Sequence, residues 1–224
     1  MTETEVIGGD QMMDPMEHLK SALLDLDHDA AKAAAQAIVE QGLDPVAALD
    51  VVTAALREVG EGFTRGDLFL PELLISARAA LSALSILEPE IQRTGRSTGY
   101  KGTVVIGTVH GDLHSVGKTM VSSLMMAHGF RIIDLGENVS TDRFLGAVEE
   151  HHPDILGLSA LLTTTALEQR KVIEALQEAG LRSQVKVMVG GGAITTEFAR
   201  DIGADGYAPT APEAVTAAIE LISK

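Results

Sequence analysis

A chain of 224 residues with 46% hydrophobic and 22% charged residues has enough apolar material for a buried core and lacks the signature of disorder. Its formal net charge of −15 argues against a nucleic-acid surface, which needs clustered Lys and Arg to displace counterions, and against docking on an anionic membrane. Cysteine is absent, which removes disulfides, thiolate metal sites and a Cys nucleophile; Trp is absent too, so Ala, Leu, Ile, Val and Met must build the core.

The N-terminus, MTETEVIGGD, is acidic and lacks the basic and apolar regions of a signal peptide. No uninterrupted apolar run of about 18 residues is visible, so no membrane-spanning helix is expected, and a cytoplasmic location follows. From Asp14 onward the pattern is helical. Met16, Leu19, Leu23, Leu24 and Leu26 repeat at a helical period. Asp29 is a candidate cap for AAKAAAQAIVE, which Gly42 can end. Asp44-Pro45 then supplies a cap and a Pro at the first helical position of a third helix, whose apolar face is Val46, Leu49, Val52, Leu56, Val59 and Phe63. A fourth helix, within GDLFLPELLISARAALSALSILEPEI, is expected to run to Pro89. Four helices with short connections predict a small antiparallel bundle over residues 1–92. The stretch RTGRSTGYK, residues 93–101, has no periodicity and reads as a linker.

Over residues 102–224 the period changes. Short β-rich runs (GTVVIGTV, FRIIDL, DILGLSA, VKVMVGG, DGYAP) alternate with helical ones, giving five βα units. Runs such as VVIGTV are apolar on both faces, as parallel strands covered by helices should be. The expected fold class is therefore α plus α/β: a helical bundle followed by a doubly wound, five-stranded parallel sheet of Rossmann-like (flavodoxin-like) type. Ligands on such sheets bind at the carboxyl ends of the strands.

The stretch GDLHSVGKT, residues 111–119, follows the first β-run. A phosphate-binding loop needs four residues between its glycines, but five separate Gly111 from Gly117, and Asp112 stands where the glycine belongs. A Zn or Fe site built on His110, Asp112 and His114 has suitable ligand types but no second cluster to complete it. In isolation the stretch could be a polar loop in which Asp112 or Ser115 caps the helix from Val116. The longer pattern is more informative. Between Gly117 and Ser159-Ala160-Leu161 lie 41 residues, and between Leu161 and Gly190-Gly191-Gly192 lie 28. Each element follows a β-run, so all three fall on one sheet edge.

D-x-H-x-x-G, then S-x-L, then G-G resembles the cobalamin-binding domain of the methionine synthase and corrinoid methyl-carrier family. GDLFLPELLISARAALSALSILEP is similar to the last helix of the cap that precedes that domain, so the resemblance runs from about residue 14 to the end of the chain. The look-alikes are the corrinoid proteins of methanol, methylamine, betaine and aryl methyl ether methyltransferase systems.

The resemblance implies a cobalamin or related corrinoid cofactor (methylcobalamin or hydroxocobalamin) and a role in one-carbon metabolism. His114 matches the lower axial ligand of cobalt. Asp112 matches the carboxylate behind it, and Thr165 the hydroxyl that continues the relay. Gly117, Ser159, Leu161, Thr163, Gly190, Gly191 and Gly192 match positions around the corrin and its nucleotide tail. Phe69, Leu70 and Leu74 of the cap are expected over the upper face. Implied partners are a substrate-specific corrinoid methyltransferase, a second methyltransferase acting on tetrahydrofolate or a thiol, and a reductive activase; nucleic acid and membrane are not among them. Such a chain is a subunit without complete turnover alone. The alternative is a cobalamin-dependent sensor, but the sensors that share these two domains add an N-terminal DNA-binding domain, for which the short segment before the first helix is too small. An adenosylcobalamin mutase subunit would lack the cap that FLPELL suggests. His110 has no assigned role.

Overall fold

The computed structural model describes residues 14–95 and 99–223. The acidic N-terminal segment and the centre of the expected linker, residues 96–98, lie outside the described residues. The helical part comprises α1 (Pro15–Leu24), α2 (His28–Glu40), α3 (Pro45–Arg65) and α4 (Leu70–Thr94). Local chemistry fixes their starts. Asp14 accepts from Met16 N, and Asp44 Oδ1 accepts from Val46 N at 2.9 Å with Pro45 in the first turn. The cap of α2 is Asp27 and not Asp29: Asp27 Oδ1 accepts from the amides of Asp29 and Ala30 at 3.0 and 2.9 Å. Asp29 instead lies in the first turn, where a carboxylate complements the helix dipole.

The fourth helix also departs from expectation. It continues through Pro89 to Thr94 and closes at Gly95 in the left-handed region. Ser85 and Pro89 both face solvent, so water can serve the carbonyl that loses its partner. Arg93 and Thr94, assigned to the linker by sequence, are therefore helical. By length and composition α4 is also apolar enough to cross a membrane, contrary to the expectation that no such segment exists; 44% of its most apolar window is buried inside the protein. Ala77, Ala80, Ala83, Leu84 and Leu87 form its inner face, packed with α2 and α3, and Leu73 is buried in the cluster shared with the sheet and α5.

Five parallel strands form the sheet: β1 (Thr103–Thr108), β2 (Arg131–Asp134), β3 (Ile155–Ser159), β4 (Lys186–Gly190) and β5 (Gly206–Tyr207). They stand in the order β2-β1-β3-β4-β5, the flavodoxin-like arrangement. Five helices complete the layers: α5 (Val116–Ala127), α6 (Thr141–His151), α7 (Thr163–Glu178), α8 (Thr196–Asp201) and α9 (Ala211–Ile222). The strand order reverses between β1 and β3, whose pairing runs in register from Val104 opposite Ile155 to Thr108 opposite Ser159. The motif loop after β1 and Ser-Ala-Leu after β3 thus leave the sheet side by side.

Helix α5 joins the two halves. Its Met126 and Ala127 are buried with the bundle, while its Leu124 and Met125 are buried against the sheet and α9. Gly60 of α3 faces it so closely that a Cβ there would sit 3.1 Å from Ala127 Cβ. A polar knot lies beside this contact. Tyr100 donates its hydroxyl to Glu88 Oε1 at 2.9 Å, and Arg131 Nε donates to the same oxygen at 3.2 Å. Burial, then the Glu88 charge, raise the Tyr100 phenol well above its ordinary value, so it remains a protonated donor.

Because α3 and α5 meet with no spare volume at Gly60, Gly60→Leu should destabilise the protein by about 1–3 kcal/mol through overpacking. Gly60→Ala should cost less, and thermal unfolding of the two variants checks the order.

Candidate functional site

Strand β1 ends at Thr108, and Val109 makes one further parallel bridge, to Val139. The chain then turns through His110 and Gly111, which has φ of 77°. Asp112 comes next and is only 1% exposed. Its Oδ1 accepts from His114 N at 2.9 Å and lies 2.8 Å from His114 Nδ1; its Oδ2 accepts from Leu161 N at 2.7 Å and from Thr165 Oγ1 at 2.6 Å. One carboxylate thereby ties together the β1 loop, the β3 loop and the first turn of α7. Burial pushes the carboxyl up, but the bonds from Thr165, from the His114 and Leu161 amides and from the imidazole outweigh it. Asp112 is held well below the usual carboxylate range and stays ionised. An ionised carboxylate only accepts, so Nδ1 is the protonated nitrogen that faces it, and Nε2 is the ring nitrogen directed away from it. The His114 side chain is 53% exposed, so Nε2 belongs to an accessible ring.

The strand ends beside this pair are fixed from below. Gln169 of α7 is fully buried, and its Nε2 donates to Leu158 O at 2.9 Å and to Gly190 O at 3.1 Å. Ala160 N also donates to Gly190 O, at 3.0 Å. Gly191 follows with φ of 127°, and a Cβ there would lie 1.8 Å from Ala160 O. No side chain fits that position. The neighbouring glycines differ: a Cβ at Gly190 meets nothing within 4 Å, and the nearest atom to one at Gly192 is the end of the Leu161 side chain, at 2.9 Å.

Above this edge and between the sheet, α5 and α9 opens a cavity of about 820 Å³. Gly117, Ser159 and all three glycines line it, together with apolar groups including Met120, Met125 and Met188. Its polar wall groups are mostly engaged: Tyr207 Oη donates to Ile194 O at 2.9 Å, and Lys118 pairs with Asp134. The Ser159 hydroxyl has no hydrogen-bond partner among the described residues.

The predicted residues thus separate into groups. Asp112, His114 and Thr165 come together directly. Gly117, Ser159 and Gly190 to Gly192 converge on the adjacent cavity. Leu161 is exposed beside Gly192, and Thr163 is exposed at the start of α7. Phe69, 68% exposed, precedes α4; Leu70 and Leu74 are half-buried on its first turns, and none of the three lines the cavity. The bundle residue that does is Phe63, which sequence reasoning read only as the end of an apolar stripe. Lys118, the lysine of the stretch GDLHSVGKT, is buried and paired with Asp134, which leaves it unavailable to a phosphate in the manner of a P-loop lysine. Neither Asp112 nor Ser115 makes a side-chain cap to α5. His110 is exposed in the turn, and no group of three His, Asp or Glu side chains among the described residues is arranged to hold a metal ion.

Comparison with known proteins gives a consistent picture. Residues 102–216 match the B12 binding domain, and residues 16–88 match a second family model of the same description. A corrinoid protein of Desulfitobacterium hafniense is 41% identical over 95% of this chain and 100% of its own length. The trimethylamine corrinoid protein of Methanosarcina barkeri is 42% identical over 88% of this chain and 91% of its own. Among solved structures, the methanol:cobalamin methyltransferase complex MtaBC of Methanosarcina barkeri contains a chain that superposes with a TM-score of 0.79 at 29% identity, covering 95% of this chain and 81% of that one.

Two outcomes follow from the site geometry. Gly191→Ala should destabilise the protein by roughly 1–3 kcal/mol from backbone strain alone, seen as a lower thermal midpoint. Asp112 has a depressed folded value, so its contribution to stability is present above its ordinary pKa of about 3.9 and is lost as pH falls below it. Asp112→Asn should therefore be less stable than the unaltered apoprotein at neutral pH, with the gap narrowing as the pH of a denaturant titration is lowered from about 4 toward 2.

Proposed function

The chain belongs to the B12-binding family of corrinoid proteins, and from that membership we propose that it carries a methyl group on a bound corrinoid between two methyltransferases. The observation that carries the reading is the Asp112–His114–Thr165 cluster beside an apolar cavity at the sheet's switch point. When bound, the corrinoid supplies a cobalt that takes up and gives up the methyl group. The residues present suit such a group. His114 offers its imidazole Nε2 to the metal. The cavity offers an apolar slot for a planar base, with the Ser159 hydroxyl free to meet it. Gly190, Gly191, Gly192 and Gly117 leave the rim open to a close-lying tail.

Each residue has a definable task. Asp112 orients the imidazole and fixes its tautomer, and Thr165 holds Asp112 in place. The Asp112–His114 pair is also where a proton taken up on ligand release would reside. Leu161 and Thr163 flank the site on the β3–α7 side. Phe69, Leu70 and Leu74 are the bundle's shield over the opposite face. Displacement of the bundle about residues 93–101 would admit a partner enzyme, with the Glu88–Tyr100–Arg131 knot as the contact to be rearranged.

The relatives are named for trimethylamine and for a methanol methyltransferase complex. They support a substrate-specific methyltransferase as the first partner and favour the carrier over the sensor. We assign the second partner as a methyltransferase acting on tetrahydrofolate or a thiol, with a reductive activase to recover oxidised cobalt. The cytoplasm is the proposed location.

Reconstitution with hydroxocobalamin followed by desalting tests the reading. The protein should retain one corrinoid with its visible absorption, and complete loss on desalting would overturn it. Electron paramagnetic resonance of the Co(II) form should show an axial nitrogen that His114→Ala removes. Asp112→Asn should weaken corrinoid retention about 10–100-fold.

A further inference from the structure

The segment between β2 and α6, residues 135–140, was not marked by any motif, yet it is stitched along the loop that carries Asp112 and His114. Leu135 N donates to Ile106 O at 2.8 Å, Thr108 N to Gly136 O at 3.0 Å, and Val139 N to Thr108 O at 2.9 Å. These bonds extend the β1–β2 pairing beyond the last strand residue. Two contacts then go past the sheet. Asn138 N donates to Asp112 O at 3.0 Å, and Asn138 Oδ1 accepts from Gly111 N at 2.7 Å. Asn138 has φ of 52°, a left-handed conformation that Asn tolerates better than most side chains. In that conformation its own amide and its side-chain oxygen address two consecutive residues of the neighbouring loop, Asp112 through its carbonyl and Gly111 through its amide.

The other end of the segment is anchored as firmly. Asp134 accepts from Gly136 N at 2.8 Å and pairs with the buried Lys118 of α5. Lys118 stands four residues after His114, on the helix that the motif loop feeds. The β2–α6 segment therefore holds both flanks of the Asp112–His114 pair, at Gly111–Asp112 on one side and Lys118 on the other.

We propose that Asn138 is a positioning residue for the axial-ligand pair: its side-chain oxygen fixes Gly111, and so the direction in which Asp112 presents His114. The inference rests on the proposed corrinoid reading. Its chemistry is specific. The required group is one hydrogen-bond acceptor on a residue able to hold a left-handed backbone, and the Asn138 amide NH2 has no part in it.

Three substitutions separate these requirements. Asn138→Asp keeps the acceptor, Asn138→Gly keeps the backbone conformation alone, and Asn138→Ala keeps neither. Amide hydrogen exchange of Gly111 in the apoprotein reads the contact itself. Exchange should be unchanged in Asn138→Asp and faster in the other two, with the thermal midpoint close to that of the unaltered protein in Asn138→Asp and lowest in Asn138→Ala, where Ala must hold the left-handed backbone. In the hydroxocobalamin-loaded protein, reduced to Co(II), Asn138→Gly should lose part of the axial nitrogen signal and weaken corrinoid retention about fivefold, the loss expected for one hydrogen bond. Asn138→Asp should match the unaltered protein in both. Full axial ligation in Asn138→Gly and Asn138→Ala would overturn the proposal. So would an Asn138→Asp that fails as badly as Asn138→Gly, since that would assign the role to the amide NH2. If the unaltered protein retains no corrinoid, the functional reading falls, and the Gly111 exchange rates still report whether the contact exists.

Discussion

A single buried carboxylate organises the site. Removing an ionised group from water is costly, and Asp112 is almost wholly removed. The four donors around it come from three separate segments of chain, so the charge is tolerated only where those segments meet. The β1 loop must turn back on itself, the β3 loop must bring Leu161 N, and α7 must begin where Thr165 can reach. The sheet's reversal of strand order between β1 and β3 brings the two loops together. His114, the group exposed for chemistry, is oriented from the buried side by a residue that no ligand on the exposed face would touch.

The opposite requirement governs the neighbouring cavity, where the chain withholds side chains. Gly191 is pressed against the Ala160 carbonyl with a backbone angle that only glycine adopts freely. Gln169 pins the adjacent carbonyls from the far face of the sheet. Rigid backbone at the strand ends on one wall and Met120 and Met125 of α5 on the other give the cavity a fixed edge and an adaptable side.

Much of this was legible in the residues because the relevant contacts are short in sequence or fixed by strand ends. Asp112 and His114 are two residues apart, and their hydrogen bond follows from a local turn. The alternation of β-rich and helical runs was enough for the sheet, since strands apolar on both faces have one stable environment. What was not legible depends on distant neighbours. Which of three consecutive glycines needs to be glycine is decided by Ala160, across a strand pair. Lys118 looks like a surface residue until β2 brings Asp134 beside it. Phe69 and Phe63 both sit near the end of a bundle helix, and only packing decides that Phe63 reaches the cavity. Pro89 reads as a stop signal, but a helix whose inner face is strongly buried passes through it where the lost bond faces water. Asp27 and Asp29 compete for one cap, and two residues of spacing choose between them.

Helix α5 packs on the bundle through one set of side chains and on the sheet through another. It therefore has little free surface on which substitutions could accumulate unnoticed. A change that suits the bundle must also suit the sheet, so the two halves of this chain are constrained to diverge together, and a cap exchanged from a distant relative would need its own α5 to come with it.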